Sequence, residues 1–207
     1  MKTIILILVT VLSINDKYTE QMQKHIMQVY QAKSADELQQ SINAFERIAQ
    51  AEKSKWEPHY YAAFAYVMMS NHTQDGSAKD QYLDKAMAQI KNAKAIKANE
   101  SELEALEGFV HMLRVSVDPA SRGQQYSGMA FQSFGKALAM NPNNPRALYL
   151  MAQMQYGTAQ FFGSSTDEAC GTLSKAVEVF ENTQPESPLS PAWGKQMALG
   201  MKERMCK

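Results

Sequence analysis

The side chains best equipped to recognise another molecule fall in two short runs. Arg146, Tyr149, Gln153 and Tyr156 are spaced three, four and three apart, so a helix would align them on one face. A guanidinium, a carboxamide and two phenols on one face suit recognition by hydrogen bonding, ion pairing and stacking. Earlier in the chain, Tyr60, Tyr61 and Phe64 cluster closely enough to wall a groove or a small-molecule pocket. Neither run pairs a nucleophile with a base.

Bond-making groups elsewhere are dispersed. His25, His59, His72 and His111 lack the i, i+4 pairing of a helical zinc site, and none begins an H-E-x-x-H arrangement. Gly135-Lys136 has Ala130 where a phosphate-cradling loop needs its first glycine. The turn around Gly163, Ser164 and Ser165 forms no G-x-S-x-G elbow. Glu102, Glu104 and Glu107 read as the solvated face of a helix. The residues therefore point away from an enzyme and call for no metal or cofactor. With 21 basic and 21 acidic residues, the chain has no excess charge to attract nucleic acid.

The elements that must position these groups are helical nearly throughout. Apolar residues recur with helical rhythm around Met22–Ala32, from Ser34 through Ile48, and from His59 to about Asn71. Further helices are expected over Tyr82–Ala98, Ser101–Val117, Tyr126–Met140, Arg146–Gln160, Glu168–Asn182 and Trp193–Cys206. The segments NHTQDGSAKD, VDPASRGQQ and FFGSSTDE read as loops, and TQPESPLSP as a connector. No stretch has the two-residue alternation of a strand.

The N-terminus is different in kind. Thr3–Ile14 is an apolar run of twelve residues behind a lysine. As a helix it would cover about 18 Å, short of a ~30 Å hydrocarbon core. This is the pattern of a secretory signal peptide over residues 1–14, leaving 15–207 as one exported domain with no membrane span, periplasmic or secreted. Two cysteines suit an oxidising compartment. Cys170 lies near the start of one helix and Cys206 at the end of the next, so antiparallel neighbours would bring them close. Whether they form a disulfide stays open at this point.

A spacing repeats along the helices. Ile48 and Ala63, Ala93 and Gly108, and Ala137 and Ala152 are each fifteen positions apart. Second helices overlay as Ser41, Phe45, Ile48; Ala86, Ile90, Ala93; Ala130, Phe134, Ala137; and Ala169, Leu173, Ala176. Small residues flanking a large one let neighbouring helices approach around a knob. In the third unit Pro142 follows Ala137 by five and ends the helix.

These residues resemble the tetratricopeptide repeat, whose second helix carries alanine, a large apolar residue, alanine and a closing proline at those distances. Tyr66, three beyond Ala63, matches the first helix, whereas His111 and Gln155 depart from it. Periods of 45, 44 and 39 residues exceed the ~34 of the family, and the excess is assigned to the three loops on one rim. The resemblance implies an all-α solenoid of about four pairs with a C-terminal capping helix. It also implies a concave groove lined by first helices, with Arg146, Tyr149, Gln153, Tyr156, Tyr60 and Phe64 facing a protein or peptide. A small-molecule carrier associated with solute uptake is the alternative.

Overall fold

In the computed structural model, residues 2–206 are described, with side chains from Lys17 onward. They form α1 (Lys2–Gln31), α2 (Ala35–Ala51), α3 (Glu57–Ser70), α4 (Gly76–Ile96), α5 (Ser101–Val115), α6 (Pro119–Met140), α7 (Pro145–Phe162), α8 (Asp167–Asn182) and α9 (Lys195–Met205). No strand occurs among the described residues. Helices pair in sequence, α1 with α2, α3 with α4, α5 with α6 and α7 with α8. Each pair stacks on the next, and first helices touch across units, α3 on α5 and α5 on α7. The result is an all-α solenoid closed by α9 against α8.

The repeat positions form its interior. Phe45, Ala86, Ile90, Ala93, Ala130, Phe134, Ala137, Ala169, Leu173 and Ala176 are all buried, as is Ser41; Ile48 alone of the twelve is partly exposed. Gly108 shows why a small residue must stand where the helices of a pair cross. A Cβ at that position would fall on the Phe134 ring, so even alanine would force one helix away from the other.

Several element boundaries differ from the sequence reading. α4 starts at Gly76 rather than Tyr82, and α6 at Pro119 rather than Tyr126. In each case an aspartate supplies the start: Asp75 caps the Ser77 N–H and Asp118 the Ser121 N–H. Pro119 sits in the first turn, where its missing N–H costs nothing. The excess period length in these two units is thus mostly helix, added to the front of α4 and α6. α9 begins two residues after Trp193, which belongs to the connector instead. Gly194, with φ 105°, makes the turn into α9. A Cβ there would meet the Phe180 ring.

Cys170 and Cys206 are disulfide-bonded, joining the start of α8 to the end of α9. The apolar run Thr3–Ile14 lies outside the residues whose side chains are described. Among the described residues no helix is long and apolar enough to cross a membrane. The disulfide is compatible with a secreted protein.

Candidate functional site

First helices begin at one rim of the solenoid, and that rim carries the polar side chains singled out by sequence. Asn144 caps α7 by accepting from the N–H groups of Arg146 and Ala147. Its amide donates across to Ser101 Oγ and to Glu102 Oε1, at the start of α5. Arg146 grips the same carboxylate: Nε donates to Glu102 Oε2 at 2.6 Å and Nη2 to Oε1 at 2.7 Å. Tyr60, one turn into α3, also donates to Glu102 Oε2. Three successive repeats are therefore tied together through one carboxylate.

This arrangement corrects the reading of the acidic run as a solvated face. Glu102 and Glu104 are buried, and Glu107 is mostly covered. Glu104 and Glu107 share Lys94. The His111 ring beside Glu107, aided by Lys94, outweighs burial and lowers the Glu107 pKa to about 2. A buried charge is costly unless paired, and each of these acids has its cation on another turn or another helix. Burial alone would weaken the Arg146 charge, but Glu102 more than offsets this and raises its pKa. Burial, reinforced by Glu102, raises that of Tyr60 as well.

The concave face at this rim is occupied by the chain itself. The connector between α8 and α9 leaves the solenoid exposed, then turns inward at Leu189 and Trp193, both buried. Tyr61 Oη donates to the Leu189 carbonyl at 2.8 Å, and Arg146 Nη1 to the Pro191 carbonyl at 2.9 Å. The Ala192 N–H donates to Tyr30 Oη, and Trp193 Nε1 to Tyr60 Oη at 3.0 Å. The Trp193 indole lies nearly parallel to Phe64, with centroids 5.0 Å apart, and to Phe109 at 5.9 Å. The Arg146 guanidinium sits 5.9 Å from the same indole.

The sequence-assigned groove residues consequently divide. Tyr60, Phe64, Arg146 and Tyr149 are buried, the first three in contact with the connector or Trp193. Tyr156 is half-buried and Gln153 is exposed. Tyr30, Phe109 and Trp193 complete the site beyond the six residues assigned to the groove, and Tyr61 joins them through its hydroxyl. The histidines stay dispersed: His59 meets Gln89, His111 faces Glu107, and His25 meets Gln28 beside an open polar hollow of about 530 Å³ between α1 and α2. Among the described residues no three His, Cys, Asp or Glu side chains gather as a metal site.

The opposite rim, where first helices end, is built differently. Arg114 at the end of α5 pairs with Asp80 and Asp84 on α4, and Arg122 on α6 pairs with Asp80 at 2.7 Å. Phe161 and Phe162, ending α7, are 82% and 74% exposed.

Small–large–small faces stacked at every second helix, with first helices lining an inner surface, decide the architecture. The fold is tetratricopeptide-repeat-like. No family model matches the sequence, and no curated protein matches it. Among solved structures, the chain is similar to the HusA haemophore from Porphyromonas gingivalis, at 27% identity and a TM-score of 0.80 over 89% of this chain and 90% of that one. A thermophilic tetratricopeptide-repeat protein from Thermus thermophilus matches at 17% identity and a TM-score of 0.45, over 78% of this chain and 92% of that one. MamA matches at 12% identity and a TM-score of 0.45, covering 81% and 86%.

Proposed function

We propose that this chain is an exported, non-catalytic binding protein whose cargo is a flat, largely apolar small molecule of the haem or porphyrin class. The observation that carries this reading is the likeness to the HusA haemophore, which extends over nine-tenths of both chains at a TM-score of 0.80. Phe64 and Phe109, on which the Trp193 indole stacks, add aromatic faces on the inner surface, which is chemistry a planar ligand can use. Export rests on the N-terminal apolar run and on the Cys170–Cys206 bond, which belongs in an oxidising compartment. A haemin titration of the oxidised protein tests it, with a saturable, stoichiometric shift of the Soret band expected. An absorption spectrum equal to that of free haemin at every protein concentration would dismiss the ligand class.

A second reading follows from the connector. The groove already holds a non-helical stretch of chain through hydrogen bonds to its backbone, as a peptide-binding scaffold would. Under this reading the partner is a protein or peptide at the concave face, with Arg146, Tyr149, Gln153, Tyr156, Tyr60 and Phe64 as its contacts. Crosslinking in the native envelope, with the crosslinked positions mapped by mass spectrometry, separates the two. Peptide links to Gln153 and Tyr156 would favour the scaffold.

A further inference from the structure

The occupant of the concave face is an irregular segment tied to the helices by four hydrogen bonds and by the stacking of Trp193 on Phe64 and Phe109. Between Thr183 and Trp193 only Leu189 and Trp193 are buried, and the first six residues are exposed. A non-helical segment with two apolar anchors belongs to the part of a protein that opens most easily. What it covers is far more robust, being carried on α1, α3, α5 and α7. Those helices present two phenylalanine faces, the three tyrosine hydroxyls of Tyr30, Tyr60 and Tyr61, and one guanidinium.

The hydrogen bonding shows what opening would release. Glu102 takes Nε and Nη2 of Arg146, whereas Nη1 donates to the Pro191 carbonyl. Removing the segment leaves Nη1 free beside the aromatic faces without breaking the buried ion pair. Tyr30 Oη is freed from the Ala192 N–H in the same step. A flat aromatic body with a carboxylate at its edge would find both of the partners it needs, a stacking surface and an N–H of a cation.

Resting on the porphyrin reading above, we propose that the cradle of Phe64, Phe109, Tyr30, Tyr60 and Arg146 is the cargo site, and that the Leu189–Trp193 segment occupies it in the empty protein. Trp193 stands in for the ligand plane, and cargo and segment exclude one another. The apparent affinity is then reduced by the fraction of molecules whose segment is closed.

Haemin titrations of the full-length oxidised chain and its Trp193→Ala variant test the exclusion. With the competitor weakened, the variant should bind about tenfold tighter or better if the open form is a minor one, and Phe109→Ala should bind more weakly. Hydrogen exchange on the unaltered protein gives an independent readout: the Ala192 amide should lose protection as haemin saturates the site. Haemin binding that is equal or weaker in Trp193→Ala, with Ala192 still protected in the complex, overturns the exclusion and leaves the porphyrin reading standing. Absence of binding by both proteins overturns both.

Discussion

The two rims of the solenoid use charge in opposite ways. Where first helices begin, Glu102, Arg146, Asn144 and Tyr60 form a buried network that three repeats and the connector share. Where they end, Arg114, Arg122, Asp80 and Asp84 form a partly solvated ladder, and two phenylalanines project into water. Water explains the difference. A charge pair removed from it acts as a single geometric lock, because either partner alone would be stranded. In the ladder Arg114 is as buried as Arg146, but its carboxylates keep water, Asp84 at 71% side-chain exposure, so each pair adds less. One rim specifies a structure, and the other tolerates variation.

The sharpest way to break that contrast is to strand one buried charge. Arg146→Met should cost about 3–5 kcal/mol by leaving Glu102 unpaired, read as a fall in the urea midpoint. Adding Glu102→Leu should restore much of the loss, since an apolar pair of similar volume carries no stranded charge. Equal loss in the single and double variants would mean that packing, not charge, locks this rim.

Next in size is the covalent link at the other rim. Cys206→Ser opens a crosslink spanning 36 residues, worth about 3–4 kcal/mol on the chain-entropy account. The loss should appear in the thermal midpoint and match that caused by reducing the native protein. Gly194→Ala should cost about 1–3 kcal/mol, because φ 105° disfavours a side chain and the Phe180 ring leaves it no room. Its specific signature is faster exchange of the Ala192 amide.

A smaller, pH-dependent effect belongs to Glu107. Its folded pKa of about 2 lies below the ordinary 4.5, so its contribution is present above the higher value. That contribution is lost as pH falls through the folded value. Urea midpoints followed from pH 5 to pH 2 should decline less steeply in Glu107→Gln. Smallest of all, Phe161→Ser with Phe162→Ser should change stability by only about 0.5 kcal/mol. A much larger cost would show that the open rim is structured after all.

How far the residues could be read depended on the distance over which each signal acts. The second-helix faces were legible because Ala130, Phe134 and Ala137 lie within two turns, where spacing alone sets which side chains share a face. The early starts of α4 and α6 were equally local, in Asp75-Gly76 and Asp118-Pro119, but glycine, serine and proline nearby read as loop. Burial of Glu102 had no local signal. Its partner Arg146 stands 44 residues away, and an acid at the start of a helix looks the same from sequence whether or not a cation waits opposite.

By itself, then, the sequence determined an all-helical repeat, its small and large packing positions, and two cysteines placed to meet at neighbouring helix ends. These are consequences of helical periodicity and of side-chain size, which act within a few turns. Tertiary structure alone decided that the inner surface is covered by Leu189–Trp193, since Ala192 meets Tyr30 across 162 positions of chain. Nothing in a polar, proline-rich connector states where it will lie. Its place was chosen by the aromatic cradle that four distant helices assemble, where an indole gains two ring faces and a hydrogen-bond acceptor that it would otherwise leave to water.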